Sequence, residues 1–337
     1  VDKIVLISHL QDVEGDVALA GQLNGIDVMI AGGGDELLAS PGDPLLPSQD
    51  PGDVFDTYPI IATNADGDDV PVVTTSGGYG YVGQLVVEFD CDGNVVGVDD
   101  DASLPRRVVS TDFADGVAAD PVMQAQVTDP VASYVASLAT NVIAQTEVEL
   151  DGRRSSVRSM ETNQGNLIAD SQLWQATQLA AGFGAPEPDV ALQNGGGIRN
   201  DSIIAAGADP GATGDVTELD TFDMVPFSNL VTIVPDIPRE QFKEILENAI
   251  SRTQPGDTPG GTGRFPQIAG FSMTWSGSGT AQVLNDDGTV ATPGTRVQDV
   301  VLDDGTPIVA GGAVVPGADV NIAITDFLAR GGDQYPF

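Results

Sequence analysis

The sequence predicts a mixed α/β and α+β chain of two domains, and three observations carry that prediction. Its 337 residues are 41% hydrophobic, more than one ordinary domain needs and enough to bury a substantial core. A strand, helix, strand rhythm opens each half, the pattern of βαβ units. Between the halves stands Asp129-Pro130, an N-cap followed by a proline at the first helical position.

In chain order, residues 4–7 read as a strand, 15–23 as a short helix and 26–31 as a second strand running into Gly32-Gly33-Gly34. The whole run from Val1 to Ile7 reads as a buried strand and not as a charged leader ahead of a long apolar stretch. Residues 40–56, rich in Pro, Asp and Gly, read as a loop. Strands are expected at 59–63, 70–75 and 85–89, the last entering an Asp92-Gly93-Asn94 turn. After Asp129 the residues Val131, Tyr134, Val135, Leu138, Val142 and Ile143 share one helical face, giving a connecting helix. The second half offers a strand at 147–150, a helix at about 164–181 and a strand at 189–192 ending in Asn194-Gly195-Gly196-Gly197-Ile198-Arg199. A strand at 230–235 follows, then a helix after Pro238 with Phe242, Ile245, Leu246 and Ala249 on one face. A Gly/Pro/Thr loop at 254–263 and strands at 271–275, 297–302 and 320–325 complete the reading.

Composition narrows the function. Fifty acidic residues against thirteen basic ones give a formal charge of −37, a field that repels nucleic-acid backbones and anionic membranes. A small-molecule partner is expected. With only two lysines and aspartate in nearly every loop, the surface also suits concentrated salt and an extracellular setting, with an acidic mesophilic protein of no special habitat as the alternative. No apolar run approaches a membrane span. One cysteine, Cys91, makes no internal disulfide, and one histidine, His9, limits imidazole chemistry to a single place. His9 stands at the end of the first strand, where α/β sheets bind ligands, although an edge histidine is more often only hydrogen-bonded.

Against this acidic background, Arg153, Arg154, Arg158 and Arg199 are four of eleven arginines. They read as an anion pocket, with plain surface salt bridges as the alternative. The triple glycine before Arg199 lets backbone N–H groups approach an anion, and it also suits an ordinary turn. It is neither a Walker loop nor a dinucleotide fingerprint. Phe227 and Phe327 lie in polar, turn-like contexts that suit stacking on a planar base, though either serves equally as core filler.

Taken in order, 152–158, 163–170, 194–199, 226–229, 263–267 and 331–336 resemble the C-terminal landmarks of the 5′-nucleotidase family. In that family a two-metal phosphoesterase domain is joined through a helix to a nucleotide-binding domain. The resemblance implies that 1–125 are the end of a metallophosphoesterase sandwich domain, 126–145 the connecting helix and 146–337 the mixed α+β C-terminal domain. Arg154, Arg158 and Arg199 then match the residues that hold phosphate and ribose, and Phe227 and Phe327 the pair that stacks on the base. Asn194, Asn229, Gly263 and Asp333 match positions lining the nucleoside pocket, with Asp333 facing the ribose hydroxyls. Two divalent metal ions are implied for the complete protein, with His9 as one ligand and Asp35 as a possible oxygen donor. Gly33 stands where the family carries a ligating histidine, and the family's N-terminal ligand motifs have no counterpart in this chain. A segment of a longer protein is therefore expected, binding a nucleotide without hydrolysing it on its own, with an extracellular, periplasmic or cell-surface location. A catalytically silent surface binding protein, a cyclic-nucleotide phosphodiesterase and a UDP-sugar hydrolase are the alternatives.

Overall fold

The structure, a computed structural model, describes residues 3–207, 213–253, 262–285 and 287–337. Most of the loop expected at 254–263 lies outside them. The chain forms two compact units, Val1–Val127 and Thr128–Phe337.

In the first unit, strands Val5–Ile7, Val28–Ile30 and Asp69–Val73 run parallel, and Ile60–Thr63 closes the sheet antiparallel to the last. The helix Val13–Ala20 lays Val13 and Ala20 over Met29, Val70 and Val72, completing the expected βαβ unit. The opening strand is not buried. It is the sheet's edge, and Val5 and Ile7 are 54% and 71% exposed, because the helix covers only one face. Val87–Phe89 and Val95–Val98 form a hairpin over the Asp92-Gly93-Asn94 turn, where Gly93 takes φ +94°. The expected loop at 40–56 contains a 3-10 turn at Pro51–Asp53 and a strand, Val54–Asp56, paired with Leu37–Leu38.

In the second unit the helix Asp129–Thr140 ends earlier than its apolar face suggests. Asn141 is extended and Val142–Thr146 pairs with Gly214–Thr217 as a strand, so Val142 and Ile143 are not helical. Their β-branched side chains favour that outcome. Of the expected helical face, only Leu138 is buried. Similarly, the strand expected at 147–150 shrinks to Leu150–Asp151, paired with Ile203–Ile204.

The core of this unit is a sheet ordered Val231–Ile237, Val320–Thr325, Val190–Asn194, Pro266–Ala269. Alternation along its strands assigns the two faces. Ala191, Ala269 and Ala323 form one cluster with Ala169 and Ala176 of the long helix Asn163–Phe183, so small side chains let that helix approach closely. The intervening Val190, Leu192, Ile322 and Ile324 pack with Phe242, Ile245 and Leu246 of the helix Arg239–Ala249 and with Val297, Val300 and Ile308 of a second sheet. Phe242 meets Phe271 edge-on at 5.5 Å.

Candidate functional site

Strand directions gather distant segments at one edge of the central sheet. Val190–Asn194 and Val320–Thr325 are parallel, so Asn194 and Thr325 end together. Val231 pairs with Thr325 and Pro266 with Asn194, which brings 227–231 and 263–266 to the same edge. Ligands in α/β folds bind outside this carboxyl end.

Next to it lies the short helix Arg154–Val157. The triple glycine passes so close that a Cβ on Gly195 would strike Val157 O. Gln267, fully buried, fixes the chain around the arginines. Its Nε2 donates to Val157 O (3.0 Å) and Met160 O (2.8 Å), and its Oε1 accepts from Thr162 N (3.0 Å). Arg158 is 9% exposed, and its Nε is buried without a hydrogen-bond partner. Burial above all, then the nearby charges of Arg154 and Arg199, pushes this guanidinium down to about 10, while Asp333 and Asp201 pull the other way. Two cations and two carboxylates, from a span of 179 residues between Arg154 and Asp333, therefore act on Arg158.

Arg199 lies 5.0 Å over the ring of Phe227 and donates from Nε to Gly196 O (2.8 Å). Arg154 is exposed, its backbone N–H held by Asp201 (2.7 Å). Asn194 Nδ2 donates to Asp333 Oδ2 (2.6 Å), and the amide oxygen of Asn194 accepts from Gln193 (3.0 Å). Gly263 O accepts from Gly196 N (2.7 Å), and a Cβ on Gly263 would sit 3.7 Å from the Asp333 carboxylate. The Phe327 ring packs on Gly332, beside Asp333. Paired bonds between Leu230 and Asp326, each 2.9 Å, tie the segments that carry Phe227 and Phe327. Both rings are about half exposed, at 48% and 45%. Asn229 shares the Phe227 loop, donating its backbone N–H to Phe227 O (2.8 Å), with its side chain exposed. The structure thus links Arg154, Arg158, Arg199, Asn194, Asp333, Gly263 and Phe227 by contact or charge, and places Phe327 on the short helix Asp326–Ala329 and Asn229 on the Phe227 loop tied to it.

His9 and Asp35 belong to the first unit. The His9 ring lies on Gly33, whose φ of +87° and close contact leave no room for a Cβ, and Asp35 packs on Gly77. Among the described residues no group of three or more His, Cys, Asp or Glu is placed to hold a metal ion. Two donors fall short of the roughly four to six that a divalent ion takes. The residues present do not fit the implied metals. A cleft of about 1030 Å³ in this unit is lined by Gly32, Gly33, Gly34, Asp35, Tyr58 and Tyr79 among others, with walls that offer a phosphate no cation.

Sequence reading passed over Gln267, Gln193 and Arg264 as supports. Their signal was faint but present: a glutamine or arginine inside an apolar strand-forming run must find partners there.

Comparison with known proteins places the chain. The family model described as 5′-nucleotidase, C-terminal domain, matches residues 142–337. The trifunctional nucleotide phosphoesterase protein YfkN of Bacillus subtilis is 28% identical over 338 residues, covering 99% of this chain and 19% of that protein. Human 5′-nucleotidase is 27% identical over 342 residues, covering 99% of this chain and 52% of its own length. A crystal structure of a 5′-nucleotidase precursor from Thermus thermophilus superposes with a TM-score of 0.59 at 29% identity, covering 99% of this chain and 56% of that one. The chain spans about half or less of these relatives. Over more than half of its length it carries their C-terminal domain, and it belongs to the 5′-nucleotidase family.

Proposed function

We propose that the second unit binds a nucleoside 5′-phosphate. One observation carries this reading: Arg158 is a buried cation with an unpartnered Nε, crowded by Arg154 and Arg199. Such a cluster is unfavourable when empty and is relieved by a dianionic phosphate. Phe227 and Phe327 supply apolar faces for a base, and Asp333 with Asn194 supplies polar groups for ribose. Within the whole protein, this unit orients the substrate for phosphate-ester hydrolysis. The metal ions implied by the resemblance would supply the activated water, and no donor set for them is assembled among the described residues. The chain by itself therefore binds without cleaving.

Titration calorimetry with AMP, adenosine and ribose 5-phosphate tests the reading. AMP is expected to bind more tightly than either fragment, and no inorganic phosphate is expected from AMP with Mg²⁺, Mn²⁺ or Zn²⁺ added. Equal affinity for AMP and adenosine would remove the role of the arginines. The charge of −37 supports a salt-adapted protein working outside the cytoplasm. Its melting temperature should then rise as NaCl screens self-repulsion.

A further inference from the structure

We propose that Arg264 is a positioning residue that sets the Asp333 carboxylate for the ribose hydroxyls of a nucleotide, acting through Gln334 without touching the ligand. This rests on the nucleotide-binding reading and adds to it the device that selects ribose.

Asp333 and Gln334 are consecutive non-glycine residues in the left-handed region, with φ of +52° and +59°, following Gly331 at +88°. Such a pair persists only where its surroundings impose it. Arg264 is the group placed to do so. It is 7% exposed, and its fork joins two elements. Nη1 donates to Asn248 Oδ1 (3.0 Å) and Ser251 Oγ (3.1 Å), at the end of the helix Arg239–Ala249. Nη2 donates to Gln334 Oε1 (2.8 Å). The next residue, Tyr335, is buried and donates its hydroxyl to Arg264 O (2.8 Å), closing the loop on the same residue. Asn248 Nδ2 reaches Asp333 O at 3.5 Å. From the other side, Asn194 holds Asp333 Oδ2 at 2.6 Å. The carboxylate is thus fixed by its side chain at Asn194 and by its backbone through Arg264 and Gln334. These hydrogen bonds run from the buried Arg264 guanidinium to protein acceptors, which is why it positions and does not bind.

Calorimetry with AMP and 2′,3′-dideoxy-AMP on the full chain separates this role from general stability. Wild type should prefer AMP by about tenfold, the worth of one hydrogen bond to a charged group, and Asp333→Asn should lose that preference. Gln334→Asn keeps a residue tolerant of positive φ and withdraws the Oε1 contact on an exposed side chain, so it leaves the fold intact. Arg264→Lys keeps the charge and removes the fork. Both variants should lower AMP affinity about tenfold while dideoxy-AMP stays within about twofold of wild type. If Arg264→Lys does not fold, Gln334→Asn decides. Preserved preference in Gln334→Asn, or equal weakening of both ligands, overturns the positioning role alone. No preference in wild type, or none lost in Asp333→Asn, overturns it together with the ribose assignment of Asp333.

Discussion

Replacing Arg158 by methionine should stabilise the free protein while weakening nucleotide binding. Burial and the charges of Arg154 and Arg199 push the guanidinium down to about 10. A displacement of that size means that the charged form is ~3 kcal/mol less favourable in the fold than in water. For a base whose folded pKa is depressed, this cost is present in full below about pH 10, neutral pH included, and fades as pH rises through that value. Methionine keeps an apolar stem and removes the charge. That figure is already net of the attraction to Asp333 and Asp201; against the relief stands the lost packing of the buried guanidinium, leaving a gain of ~1–2 kcal/mol, or ~3–6 °C in Tm for a unit of this size. At the same time the unpartnered Nε and its charge are lost to the phosphate, so AMP affinity should fall by about tenfold or more. Scanning calorimetry of the free protein and titration with AMP measure both effects. A lower Tm, or unchanged AMP affinity, would refute the picture of a destabilised cation waiting for an anion.

Phe227→Ala and Phe327→Ala should each weaken AMP by ~1–3 kcal/mol and leave ribose 5-phosphate unaffected, by the same titration. Gln267→Ala strands Val157 O, Met160 O and Thr162 N inside the protein and should lower stability by ~3 kcal/mol in urea unfolding, with AMP affinity falling as the arginine helix loosens. The Asp151 carboxyl is held down to about 2, chiefly by its hydrogen bond from Arg153. Its contribution is therefore present above the ordinary carboxylate value and lost as pH falls toward about 2. Because Arg153 is half exposed, Asp151→Asn should cost under ~1 kcal/mol at neutral pH and flatten the acid limb of the stability curve.

The elements most legible in the sequence were those whose hydrophobic period is long and whose ends are marked. The helix Asn163–Phe183 has a Thr162 cap and a left-handed Gly184, and the strands Val190–Asn194 and Val320–Thr325 carry the apolar runs 190–192 and 322–324. The helix after Pro238 shows its four-residue stripe. Legibility failed where local pattern and tertiary pairing compete. Val142 and Ile143 extend the helical stripe of Asp129–Thr140, yet strand pairing with Gly214–Thr217 claims them. The first strand is apolar enough for a core, and its position at the edge of the sheet is a matter of strand order, which periodicity does not record. At the candidate site, residue types were readable and their supports were not. A guanidinium for phosphate or a ring for a base is visible in one residue. The Gln267 bonds to the 157–162 segment and the Arg264 bond to Gln334 join positions 70 or more residues apart, and only the folded sheet brings them together.

A crystal structure of the chain with AMP measures the central claim most directly. The account predicts the phosphate within hydrogen-bond distance of Arg158 Nε, flanked by Arg154 and Arg199, with the base against Phe227 and Phe327 and the ribose at Asp333. AMP seated elsewhere in the second unit, with Arg158 Nε still unpartnered, would contradict it.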